Sequence, residues 1–154
     1  MSCKDKKNKC KDKKSCKPKK PCYRDCQKVE LTMAYDMTAL PGTVLTLATG
    51  DGFSEERVLF LEATVSPGAT GAVPASASFQ LQIDGVLLDP EIVVNMSESI
   101  DDLPVGDRHS QVLRAQVRVS PGAHTIALIG TGDITVELNP TVGGASLLAC
   151  EKVG

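Results

Sequence analysis

Apolar side chains recur at every second position along most of this chain. A period of two puts them on one face of an extended strand rather than along one side of a helix. Phe79, Leu81 and Ile83 alternate with Gln80, Gln82 and Asp84, and Leu113, Ala115, Val117 and Val119 alternate with Arg114, Gln116 and Arg118. Val29, Leu31 and Met33 show the same pattern, and further strands are expected over 43–49, 57–65, 86–88, 91–95, 124–129, 134–138 and 145–153. Turn chemistry separates them: Pro41-Gly42, Asp51-Gly52, Pro121-Gly122, Gly143-Gly144 and above all Asp84-Gly85, a tight-hairpin signal. No long run shows a 3.6-residue period with caps. Trp is absent and aromatics make up 3%, so the core must come from Val, Leu, Ile and Ala. The expectation is an all-β fold, a jelly-roll β-sandwich of about 8–10 strands.

The alternation fails at the N-terminus. Residues 1–27 read as an extended arm, and residues 28–154 as the sandwich. The arm is a degenerate repeat, CKDKKNK, CKDKKS and CKPKKP, closed by CYRDC, with almost no apolar side chain to bury. Pro18 and Pro21 favour extended backbone. Elsewhere, the pentapeptide VSPGA stands at both 65–69 and 119–123, where Pro then Gly suits a type II turn. We expect it to mark matching strand ends on the two sheets. Ser97–His109 is acidic and irregular and reads as a long surface loop.

The net charge of −2 conceals a segregation. Residues 1–28 hold eleven Lys and one Arg against three Asp, a net +9, and the remainder holds five cations against sixteen carboxylates, a net −11. A basic arm tied to an acidic body points to another copy of the same chain as the arm's partner. Lys4, Lys6, Lys7, Lys9, Lys11, Lys13, Lys14, Lys17, Lys19 and Lys20 are the candidate docking residues. Cys3, Cys10, Cys16, Cys22 and Cys26, together with Cys150 in the last strand, are the candidates for disulfides between subunits. Bonds within the arm would close only small loops, whereas bonds to a neighbour make an assembly covalent. Cys150 is the candidate receiver; its alternative is a buried free thiol.

Other chemistries fit less well. The arm spacing C-x6-C-x5-C-x5-C-x3-C contains no C-x2-C pair of the kind structural zinc uses, so no metal and no cofactor are expected. Nucleic acid ranks below self-association, since regularly spaced thiols serve no purpose in phosphate contact. His109 and His124 are the only imidazoles and no nucleophile motif accompanies them, so the expectation is a protein that is not an enzyme, with His124 a surface residue at a strand start. No stretch reaches transmembrane length and no apolar run follows the basic N-terminus, which suggests synthesis in a cytoplasm without a signal peptide. The cysteines call for an oxidising, extracellular setting such as a spore or virion surface. A phage-fibre or lectin-like binding jelly roll anchored by its arm is the alternative, followed by a metal- or nucleic-acid-binding arm on an inert domain.

FQLQIDGVLL at 79–88, PGAHTIALIG at 121–130 and GGASLLACEKVG at 143–154 carry a resemblance. The body resembles the tumour-necrosis-factor-like jelly-roll domains at the tips of collagen-like spore-surface proteins and in related spore-appendage subunits of bacilli. The resemblance implies a homotrimer whose N-terminal extension anchors it to a layer or to the next subunit of a fibre. There is no collagen-like G-x-y tract, and the Cys/Lys arm departs from the usual leader, so a filament subunit fits better than a tip.

Overall fold

The computed structural model describes residues 22–49, 53–99, 110–142 and 144–153. Its elements are β1 (Cys22–Glu30), β2 (Tyr35–Asp36), β3 (Gly42–Ala48), β4 (Arg57–Val65), β5 (Pro67–Ala69), β6 (Ala75–Ile83), β7 (Val86–Met96), β8 (Gln111–Val119), β9 (Thr125–Gly132), β10 (Val136–Leu138) and β11 (Ala145–Val153). A single 3-10 turn, Pro140–Val142, is the only helical element among the described residues.

Two four-stranded sheets run in the orders β1-β11-β4-β8 and β3-β9-β6-β7, and a small sheet β2-β10-β5 joins them at one end. Every pairing between these strands is antiparallel. The long partners nest in sequence: β1 with β11, then β3 with β9, β4 with β8, and β6 with β7 innermost. Successive pairs fall in alternate sheets. That is a long hairpin wrapped around a common core, which is the jelly roll expected from the alternation.

The period of two places the core. Phe79, Leu81 and Ile83 of β6, Leu59, Leu61, Ala63 and Val65 of β4, and Ile126 and Leu128 of β9 are all buried between the sheets. Asp84 and Gly85 both take positive φ, 47° and 84°, in the tight β6–β7 turn that Asp-Gly predicts. Residues 86–96 form one strand rather than two short ones. Asp89 and Pro90 are accommodated as a bulge at the register shift between Gln80 and Leu81, so pairing resumes beyond the proline.

Three expectations are corrected. First, the sandwich begins at Cys22, not residue 28: CYRDCQ pairs with the end of β11 although it has no apolar alternation. An edge strand draws its stability from a backbone ladder, which needs no side-chain pattern, and beyond the ladder Met33 is 75% exposed. Second, the VSPGA copies neither match nor lie on two sheets. Both follow strands of the same sheet, β4 and β8, which pair antiparallel with Val65 opposite Gln111 and Arg57 opposite Val119, so they sit at opposite ends. Third, they differ in conformation. Pro67–Ala69 is buried as β5 against β10, whereas Pro121-Gly122 is an exposed turn whose Gly122 has φ 122° and bridges Phe53. Most of the acidic loop falls outside the described residues; Ser99 at its start donates through Oγ to the Ala69 carbonyl.

Candidate functional site: the latched edge strand and the two outer faces

The chain enters the sandwich through β1, an edge strand. Its register on β11 runs Tyr23 to Lys152 and Arg24 to Glu151, then shifts, resuming with Gln27 to Ala149. Asp25 and Cys26 therefore oppose the single residue Cys150, a bulge made possible by Asp25 at φ 49°, a left-handed conformation that Asp tolerates better than most residues. The bulge brings Cys26 to Cys150, with Cα atoms 4.1 Å apart, and the two are joined by a disulfide across 124 residues of sequence. This corrects the reading of both as candidates for bonds between subunits: β1 and β11 are adjacent, so their partner is on the same chain. Next to Cys150 in the sheet stands Phe60, and the Tyr23 ring lies 4.8 Å from it, so disulfide and rings form an apolar strip on the outer face.

Beneath the bulge, at the mouth of the sandwich, is a cavity of about 90 Å³ lined by Leu47, Phe53, Leu59, Ala149, Asp25, Gln27, Thr49, Cys150 and Glu151. It is roomy enough for ordered water and, with Asp25, Gln27, Thr49 and Glu151 in its wall, polar enough to bind it. Glu151 points into it, 7% exposed, and is neutralised by Arg57 Nε at 3.0 Å. A wider groove lined by Lys28, Glu30, Leu31, Thr64, Pro140, Ala145 and Ser146 lies at the other end of β1; the Lys28–Glu30 ion pair at 2.6 Å occupies its polar side.

His124 was expected at the surface and is buried, 8% exposed. Nδ1 lies 2.6 Å from Asp84 Oδ2, and Nε2 lies 2.8 Å from the Ser120 carbonyl. Both partners are acceptors, so both ring nitrogens donate and the imidazolium form is favoured. The other Asp84 oxygen accepts from Thr125 N–H at 2.9 Å. The group ties the β6–β7 turn to the second VSPGA turn. The hydrogen bond to Asp84 raises the His124 pKa above its ordinary 6.5, and the hydrogen bond from His124 lowers that of Asp84 below 3.8. His124 therefore stabilises the fold fully below pH 6.5 and less as pH rises through its raised pKa. Asp84 contributes fully above pH 3.8 and less as pH falls through its lowered value. In urea titrations against pH, the stability lost on Asp84→Asn is expected to peak between pH 3.8 and 6.5 and shrink on either side. Its size should be about 1 kcal/mol or less, because the carboxylate is half exposed. A flat difference would show that the pair does not titrate with folding.

Charge is divided between the sheets. Every Lys and Arg within a strand lies in the first sheet: Arg24, Lys28, Arg57, Arg114, Arg118 and Lys152. Arg114 pairs with Glu62 at 2.7 Å, Arg118 with Glu56 at 2.8 Å, and Lys152 donates to Gln116 at 3.1 Å. No strand of the second or small sheet holds a cation, although Asp36, Asp89, Glu91 and Glu137 lie there.

Of the residues proposed from sequence, Cys3, Cys10, Cys16 and Lys4 to Lys20 lie outside the described residues, Cys22 opens β1 opposite Val153, and only Cys26 and Cys150 are brought together. Among the described residues no group of three or more His, Cys, Asp or Glu is arranged to hold a metal ion, and no helix is long and apolar enough to cross a membrane.

These features define a disulfide-latched jelly-roll sandwich with one charged and one cation-free sheet. No protein-family description matches the chain, and no curated protein matches it. Solved structures similar to it include dimeric latent PorU from Porphyromonas gingivalis, at TM-score 0.43 and 13% identity over 84% of this chain and 13% of that one. The sugar-binding EclA C-terminal domain gives TM-score 0.41 and 9% identity over 87% of this chain and 79% of that one. The stem and receptor-binding domain of spike protein P1 from bacteriophage PM2 gives 0.37 and 11% over 81% and 65%. The jelly-roll assignment rests on the strand order, not on these likenesses.

Proposed function

We propose that this protein is a structural subunit of a self-assembling extracellular filament or surface layer, whose basic N-terminal residues dock on a neighbouring copy and are locked there by disulfides. The observation that carries the reading is the division of charge. Ten lysines and two aspartates in residues 1–21 give the segment a net +8, and the sandwich it precedes offers a second sheet with carboxylates and no cation. Lys–carboxylate attraction steers docking but fades within about 8 Å at physiological salt, so covalent bonds supply durability. With Cys26 and Cys150 bonded to each other, the reading assigns the subunit bonds to Cys3, Cys10, Cys16 and Cys22. The resemblance to tumour-necrosis-factor-like spore-surface domains supports a bacterial spore as the surface, and disulfides suit that oxidising setting.

Non-reducing electrophoresis of the purified chain is expected to show a ladder that collapses to monomer with reductant. Deletion of residues 1–21 should abolish the ladder and leave a folded sandwich, because β1 begins at Cys22. A single monomer band without reductant overturns the proposal. Filaments in negative stain count for it, and a discrete oligomer with a ligand in its loops counts for a binding module.

A further inference from the structure

The outward face of the second sheet is almost free of charge. Along β6 it presents Ser76, Ser78, Gln80 and Gln82, and the register carries that row across to Thr131, Ile129 and Ala127 of β9 and onward to Thr43 and Thr46 of β3. On β7 it presents Leu87, Glu91, Val93 and Asn95, of which Glu91 is the one charged residue on the face. Leu87 and Val93 are 51% and 60% exposed. In a chain that is 23% charged, such a surface has the charge depletion of an interface core rather than of a solvated sheet. The other sheet supplies the contrast within the same molecule: rows of Lys28, Glu62 and Arg114 cross its outer face.

We infer that this face is a self-association surface and that a second copy of the chain covers it, face to face about a two-fold axis. A two-fold contact sets each residue against the same patch, so charged patches meet like charge, whereas hydroxyls and amides both donate and accept and are complementary to themselves. Ser78, Gln80 and Gln82 meet that requirement, and Val93, Leu87 and Ile129 supply the apolar centre. On the face itself a basic arm finds only Glu91 and a nucleic acid finds no cation, so arm docking falls to the carboxylates at the rim, Asp89 among them, and to Asp36 and Glu137 of the small sheet. The size also suits. Four strands about 4.8 Å apart and roughly eight residues long at about 3.3 Å each cover roughly 500 Å² per copy, so a pair buries about 1,000 Å², the lower limit of a specific interface. Asp89 in the β7 bulge and Asp133 just past the end of β9 lie at its margin, so two copies bring acidic rims together. Salt should therefore tighten this contact by screening, the opposite of its effect on lysine-mediated docking.

The test uses the full chain with Cys3, Cys10, Cys16 and Cys22 replaced by Ser, which removes arm crosslinks and keeps Cys26–Cys150. Sedimentation equilibrium is expected to show a dimer that tightens with added salt. Ser78→Lys with Val93→Lys should raise the dissociation constant about 100-fold or more, since like charges then face each other. Mixing that variant with Ser78→Glu/Val93→Glu should restore a heterodimer, and each variant alone should keep the parent's far-ultraviolet circular dichroism. Should that pair of changes unfold the sheet, Gln80→Lys/Gln82→Lys on β6 gives the same reading. A monomeric parent, an unaltered mass for the lysine variant, or weakening with salt overturns the inference. The ladder of the cysteine-intact chain reads the arm separately, so either proposal fails without the other.

Discussion

Replacing Cys26 with serine is expected to lower the unfolding free energy by about 3–5 kcal/mol and the melting temperature by roughly 10 °C. The bond links residues 124 apart, so in the chain-entropy description it removes more freedom from the unfolded chain than almost any other crosslink this sandwich could carry. The native fold loses little directly, since β1 keeps its ladder to β11 on either side of the bulge. Two signatures should accompany the loss in guanidinium titrations and hydrogen exchange. The denaturant slope should rise, because the unlinked unfolded chain exposes more surface. Amides of 22–30 should exchange before those of the core strands, because an edge strand without its latch opens locally. A change below about 1 kcal/mol would show that the bond does not constrain the unfolded chain. The bond also holds the strand through which residues 1–21 join the sandwich, so the latch and the proposed assembly are mechanically coupled.

Phe79→Ala should cost about 3–5 kcal/mol, measured by the same titrations. Phe79 is 1% exposed and is the sole aromatic among the buried hydrophobic residues described, the rest being aliphatic side chains, Met37, Met96 and Cys150. It sits between Ile92 and Gly130 in the sheet, at the middle of β6. Gly130 cannot grow to fill the space: a Cβ there would lie 3.0 Å from Val44 and 3.2 Å from Met37, which are already packed against it. With small, stiff neighbours the site collapses poorly, which places the cost at the upper end for such truncations. Phe79→Leu, which keeps most of the volume, should cost under about 1.5 kcal/mol. Equal costs for the two variants would mean that the ring's volume is not what the core requires.

The strands were legible because their cause is local. Alternation in FQLQI and QVLRAQVRV puts one row of side chains in the core whatever the pairing partner, and Asp84-Gly85 needs no partner to turn the chain. The candidate surfaces were half legible. The charge of the arm and the acidity of the body are sums over sequence, but that all the strand cations fall on one sheet depends on which strands become neighbours. His124 gave no positive sequence signal beyond its place at a strand start, and its partner Asp84 lies forty residues away in a turn.

Sequence by itself determined an all-β chain, the β6–β7 hairpin, the inward row of each long strand, and a basic, thiol-rich segment ahead of an acidic body. Only the tertiary structure decided the partners. VSPGA is a buried strand where β10 offers a backbone ladder and an exposed turn where Phe53 offers one bridge. His124 is buried because Asp84 and the Ser120 carbonyl are both within hydrogen-bond reach. Cys26 meets Cys150 because β1, lacking any apolar pattern, pairs with the last strand and bulges at that point. Local pattern sets the conformation of a segment, while the energy of a pair depends on distances between residues far apart in the chain, which exist only once the sheets have formed.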